Sequence, residues 1–244
     1  MLGVFAEALT LAARHSARLL AWSGPLLAVG LLATAVQDAP IANPTAWALA
    51  QAVPGCALLA LSASYSTRVH RMILLPGEPL PAPFQDAVAG TTWRYLLGLT
   101  VVGLCSIPPV LAAGLLVRAA SGLGLPPPFD AVLEVVLPFL AVQATLAKRQ
   151  LLYLPGISLR GPDPWQAATA MGRGYAWRLA GVNLLFGLYS LMVTLFAGWL
   201  VGNLFPEGPL GQLEVLTLAV GLPAQLGCFA CLQAACYRRL SLPG

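Results

Sequence analysis

Apolar residues in this chain come in long runs separated by short polar joins, unlike the three-to-four spacing of a soluble amphipathic helix. Six runs, at about 19–36, 47–66, 95–117, 131–146, 179–201 and 213–236, come close to or exceed the roughly 20 helical residues needed to cross about 30 Å of hydrocarbon. The fourth is the shortest, and its start could lie nearer Pro128. Residues 1–18 differ. Glu7, Arg14, His15 and Arg18 are set among Phe5, Leu9, Leu11 and Leu19, the pattern of a short amphipathic helix lying at a membrane surface and feeding into a span. The same residues have a second reading as a secretory leader, with an apolar run from Leu19 and Ala33-Thr34-Ala35 as the cleavage site.

The joins alternate in character. Those at 68–94 and 148–178 are basic, whereas 38–44, 121–130 and 202–211 are short, Pro-rich and acidic. If both termini lie on the basic side, twelve of the thirteen Lys and Arg residues share that side and only Arg118 falls opposite. Positive residues near span ends are retained in the cytoplasm, so the pattern predicts cytoplasmic termini; twelve of the thirteen basic residues are Arg, which with the high Ala, Leu, Gly and Pro content points to a bacterial inner membrane as the expected location. Acidic residues orient spans weakly. Five of the nine, Asp38, Asp130, Glu134, Glu207 and Glu214, agree by lying on the other side.

The joins also repeat. Leu75-Pro76-Gly77 recurs at 154–156 and 242–244, Pro83-Phe84-Gln85 recurs as Pro164-Trp165-Gln166, and Trp93-Arg94 recurs as Trp177-Arg178. Units starting at Phe5, Phe84 and Trp165 are spaced by 79 and 81 residues. Residues 93–104 align without gaps to 177–188, and the second run of each unit holds an internal proline, Pro54, Pro138 or Pro223. The chain therefore reads as one membrane domain over 1–244, with internal repeats at about 5–77, 84–156 and 165–244. Each unit is an interfacial helix followed by a transmembrane hairpin. Because each crosses twice, the three are parallel, unlike the inverted repeats of many transporters. In the central join Asp163 is the expected N-cap and Pro164 the first helical residue, while Leu-Pro-Gly is expected to stop the preceding helix.

Composition supports the same class. The chain is 58% hydrophobic and 9% charged, against about 25% charged for a soluble domain. The net charge of +4 is spread over span ends, so it reads as topology and not as affinity for nucleic acid. The fold class expected is all-α: a polytopic membrane protein with six transmembrane helices.

Candidate chemistry is sparse. Ionisable groups inside spans mark catalytic or transport sites, and Glu134 and Glu214 sit only at span ends, where a carboxylate suits the helix dipole. Gln143, Asn183, Gln225 and Gln233 are the clear polar groups at membrane depth, as interhelical contacts or as the lining of a solute path. Cys228 and Cys231 form a C-x-x-C pair, but inside an apolar run and without nearby cations or histidine, so they read as small hydrophobes. His15 and His70 fall on the basic edge, with no arrangement for haem. No catalytic, cofactor-binding or metal-binding residues are assigned, and no cofactor is expected. Arg18, Arg94 and Arg178 with Trp93, Trp165 and Trp177 are candidate anchors for lipid headgroups and the interface.

This layout, three surface helices each followed by a hairpin and a basic exit ending in Leu-Pro-Gly, resembles uncharacterised bacterial six-span membrane proteins. These are related to the membrane domain of some glycerophosphodiester phosphodiesterases and to YciC-like proteins. The resemblance implies a six-helix membrane domain without established catalytic residues; the soluble phosphodiesterase domain has no counterpart here. The expected function is non-enzymatic: a scaffold or accessory subunit of a membrane complex, or a lipid-interacting factor, with the bilayer, anionic phospholipids and other membrane subunits as partners. The alternative is a transporter or channel for an apolar or amphipathic solute, with the prolines as hinges and Gln143, Asn183 and Gln225 as lining.

Overall fold

The structure is a computed structural model that describes residues 2–37, 43–80, 90–121, 151–159, 163–204 and 210–241. These form eight helices: α1 Leu2–Arg14, α2 Ser16–Gln37, α3 Pro44–Leu74, α4 Gly90–Ser121, α5 over 151–158, α6 Pro164–Met171, α7 Ala176–Leu204 and α8 Leu210–Ser241. There is no strand among the described residues. The chain is an all-helical membrane protein: Ser16–Ala33, Pro44–Leu74, Gly90–Ala119 and Ala176–Asn203 are each long and apolar enough to cross a bilayer. α8 is longer than any of these segments at 32 residues. The run predicted at 131–146, with Pro138 and Gln143, lies outside the described residues, as does Leu242-Pro243-Gly244.

The helices outrun the apolar runs that predict them. α3 begins at Pro44 because Asn43 caps it: the Asn43 side-chain oxygen accepts from the amides of Thr45 at 2.9 Å and Ala46 at 3.2 Å. Pro44 suits the first helical position because its missing N–H is not needed there. At the other end α3 continues two turns past Ser66. Arg68 and Arg71, expected in a loop, are helical, and the helix stops at Leu74. Leu-Pro-Gly terminates it as predicted. Glu78 N–H bonds back to Leu75 O at 3.2 Å across Gly77, whose φ of 105° favours glycine.

The second Leu-Pro-Gly corrects the expectation. Leu154, Pro155 and Gly156 lie inside helix α5, which continues to 158, and Leu154 is 1% exposed. Proline removes the helical hydrogen bond of its own amide and crowds the carbonyl four residues back, yet the helix runs through 155 to 158. The motif stops one helix and is packed within another.

Prolines also fall inside first spans, at Pro25 of α2 and at Pro108-Pro109 of α4, as well as at Pro54 and Pro223. They are not confined to the second helix of each pair.

The core is gathered at one end of the molecule, the end that holds most basic residues. Its hub is the stretch of α8 from Ala230 to Cys236. Cys231, Leu232, Ala234 and Ala235 are fully buried, and α8 packs against α1, α2, α3 and α7. Small residues at 230, 234 and 235 let these helices approach closely. On α3 the buried stretch runs from Ala63 to His70. Beyond this end α4 and α7 spread Leu97, Leu104, Leu111, Leu115, Leu188, Leu195 and Trp199 outward, as helices facing lipid do.

α1 is amphipathic, as its pattern predicts, but its apolar face is covered by protein. Ala8 and Leu11 are buried in the main core, and Val4, Phe5 and Ala12 pack at its edge. Residues 1–35, which also read as a leader, include Leu19 and Leu26 in the same core.

Candidate functional site

The first and last helices, α1 and α8, meet at the basic end. Glu7 of α1 accepts hydrogen bonds from Arg238 and, at 2.7 Å, from Nε of Arg239, and Arg239 also reaches Gly3 O at 3.5 Å. One carboxylate thus serves two guanidinium groups, which leaves the cluster with an excess of positive charge. Arg178, on the first turn of α7, adds a third cation, its guanidinium 5.5 Å from the centre of the Tyr175 ring. Arg178 and Arg239 border a cavity of about 270 Å³ that is also lined by Val4, Tyr175, Leu179, Val182, Cys236 and Leu240. Two arginines stand at its rim and aliphatic side chains form its wall. That pairing suits a ligand with an anionic head and an apolar body.

The sequence-predicted residues divide as follows. Arg18, Arg94 and Arg178 are all exposed at helix starts. Trp93 and Trp177 are exposed at 56% and 80%, as rings seated in headgroups are. Trp165 is half-buried, edge-on against Tyr153 with ring centres 5.1 Å apart. It opens α6, whose N-cap is the predicted one: Asp163 Oδ1 accepts from Gln166 N–H at 3.0 Å. Gln225 Nε2 donates to Ser190 O at 3.1 Å and Thr194 Oγ1 at 2.8 Å, tying α8 to α7. Asn183 is buried on α7. Gln143 lies outside the described residues. Only Arg178 among these candidates belongs to the arginine cavity. Its partners Val4 and Arg239 are 235 residues apart in the sequence, and no local pattern joins them.

His70 lies at the basic end, as its neighbours Arg68 and Arg71 predict, but inside the protein. It is fully buried where α3, α5 and α8 converge. Nε2 lies 3.0 Å from Gln233 Oε1 and Nδ1 lies 2.9 Å from Ser158 Oγ. With the amide oxygen accepting from Nε2–H, Nδ1 accepts the Ser158 hydroxyl proton, for which Leu154 O at 3.1 Å is the alternative acceptor. Tyr95 of α4 places its ring 5.9 Å from the imidazole. Four helices are thereby tied around one histidine. Nearby, Arg68 is 5% exposed, with its guanidinium 4.5 Å over the Trp22 ring, a cation–π contact that joins α3 to α2.

His15, at the break between α1 and α2, has its pKa lowered from 6.5, first by burial and then by the charges of Arg18 and Arg14. Among the described residues no three His, Cys, Asp or Glu side chains gather as metal ligands. Cys228, Cys231 and Cys236 are buried free thiols, and Cys228 Sγ lies 3.2 Å from Tyr189 Oη. No protein-family model matches the chain, and neither does any curated protein or solved structure.

Proposed function

We propose that the protein is a non-enzymatic integral protein of a bacterial inner membrane that acts by contact, binding anionic phospholipid headgroups at its cytoplasmic face and other membrane subunits along its flanks. On this reading it crosses six times as three parallel units, with both termini cytoplasmic and the basic end inward. The observation that carries it is the cavity of about 270 Å³ with Arg178 and Arg239 at its rim and aliphatic walls beneath. The exposed leucines of α4 and α7 supply flanks for lipid or for a partner subunit. The bonding of Gln225 to α7 supports interhelical glue over a solute path.

The test is lipid retention by the full chain in nanodiscs containing phosphatidylglycerol against nanodiscs of phosphatidylcholine alone. Each arginine near an anionic surface is worth about 1 kcal/mol, a factor of about five. The double variant R178Q/R239Q is expected to lose about twenty-five-fold in preference for the anionic lipid while its thermal unfolding stays cooperative. An unchanged preference in the folded variant would remove the basis of this reading.

A further inference from the structure

One wall of the arginine cavity comes from α1, and the same stretch of α1 also holds a cation at the cavity's rim. Val4 lines the cavity. Beside it, Glu7 accepts from Nε of Arg239 at 2.7 Å, and Gly3 O accepts from a terminal nitrogen of the same guanidinium at 3.5 Å. Residues 3, 4 and 7 fall on one side of α1, because positions three and four apart stack along a helix. Further along, Ala8 and Leu11 are buried in the main core. This side of α1 can therefore let go of Arg239 while the helix stays attached to the protein.

Glu7 has a second cation to turn to. It also accepts from Arg238, which is not among the cavity's lining residues. If a ligand in the cavity took Arg239, the carboxylate would remain paired, so the exchange strands no charge. The strengths are matched as well. Glu7, Arg238 and Arg239 are all partly exposed, and an ion pair of that kind shifts an equilibrium by about fivefold at most. An arginine beside an anionic headgroup is worth about the same factor. Neither anion excludes the other outright, and each weakens the other's hold on Arg239.

We propose that Glu7 is a built-in competitor for the lipid phosphate. It shares Arg239 with an anionic headgroup in the cavity, so headgroup binding releases this side of α1, and the latched α1 in turn lowers the affinity for the headgroup. The inference rests on the reading of the cavity as an anionic-headgroup site and adds how that site is regulated. The two effects are one coupling seen from two sides: the factor by which Glu7 weakens lipid binding is the factor by which lipid weakens the Glu7 contact. α1 thereby registers whether the cavity is occupied.

The experiment places the full chain in nanodiscs of phosphatidylcholine with and without phosphatidylglycerol. Two quantities are read: the preference for phosphatidylglycerol among retained lipids, and hydrogen exchange in α1. E7Q keeps the shape of the side chain and removes its charge. It is expected to raise the preference by about two- to fivefold, and to do so in an R178Q background as well. In an R239Q background, where the shared cation is gone, E7Q is expected to add nothing. In the wild type, phosphatidylglycerol is expected to speed exchange at residues 2–14 by a similar factor, and R239Q to lose that response. An unchanged or lowered preference in E7Q overturns the proposal. A gain of equal size in R239Q overturns it too, because Glu7 would then act on the ligand without Arg239. So does α1 exchange that phosphatidylglycerol leaves unchanged or slows. Each of these results can arise while the wild type still prefers phosphatidylglycerol. A wild type that does not distinguish the two lipids removes the cavity reading itself, so the two failures are separate.

Discussion

At the scale of single residues, the molecule spends its few polar side chains on joining helices. His70 is the clearest case. Both ring nitrogens are partnered, each by a different helix, and the ring is fully buried. Removing one partner is worse than removing both, because the remaining group stays buried and unpaired. Gln233→Leu is therefore expected to destabilise the protein by about 1–3 kcal/mol, while the double change His70→Leu with Gln233→Leu recovers part of that loss. Urea or detergent unfolding of the three proteins measures it. If the single and double variants were equally unstable, the imidazole would not depend on the amide. The sequence places His70 only by its neighbours Arg68 and Arg71, which belong to the basic edge. Its burial comes from α5 and α8, 88 and 163 residues away, so no window of sequence contains the reason.

At the scale of elements, what the sequence reveals is set by how local the cause is. The caps at Asp163 and the stop at Gly77 are legible because a carboxylate three residues before an amide, or a glycine after Leu-Pro, acts within one turn. The apolar runs are legible because crossing hydrocarbon is a property of one helix. Hydropathy marks only the apolar centre of a helix, so it does not reach the ends of α3 and α8, which continue into the packed end. The fate of α1 was not legible at all. Its amphipathic pattern fits a bilayer surface or a protein surface equally, and Glu7 with Arg238 and Arg239 decides for protein. These ion pairs are partly exposed, so each is worth about 1 kcal/mol or less. Glu7→Gln is expected to loosen α1 without unfolding the remainder. Hydrogen exchange should then rise at residues 2–14 by severalfold and stay unchanged in α7. Faster exchange spread evenly over all helices would show that the latch does not act on α1 in particular.

At the scale of the whole molecule, the described helices set where the chain leaves and re-enters the packed end. α4 starts at the basic end, where Tyr95 lies beside His70, and runs 26 residues further to Ser121, about 39 Å at 1.5 Å per residue. By Ser158 the chain is again at His70. The proposed six-span topology makes α4 the first arm of the second hairpin and α7 with α8 the third. The distribution of arginines then sets which end faces the cytoplasm. The prediction is made in a background where Cys56 and Cys105, the free thiols not buried in the core, are changed to Ala. Single cysteines introduced as P79C and R173C are expected to resist a membrane-impermeant maleimide in intact cells and to react after permeabilisation. Those introduced as P126C and G208C are expected to react in intact cells. Labelling of P126C from the same side as P79C would mean that α4 does not cross, and the six-span topology would fall. Labelling of all four from the opposite sides would keep the spans and reverse the orientation, placing the Arg178–Arg239 cavity away from the cytoplasm. The proposed headgroup binding would then have to be sought in the outer leaflet.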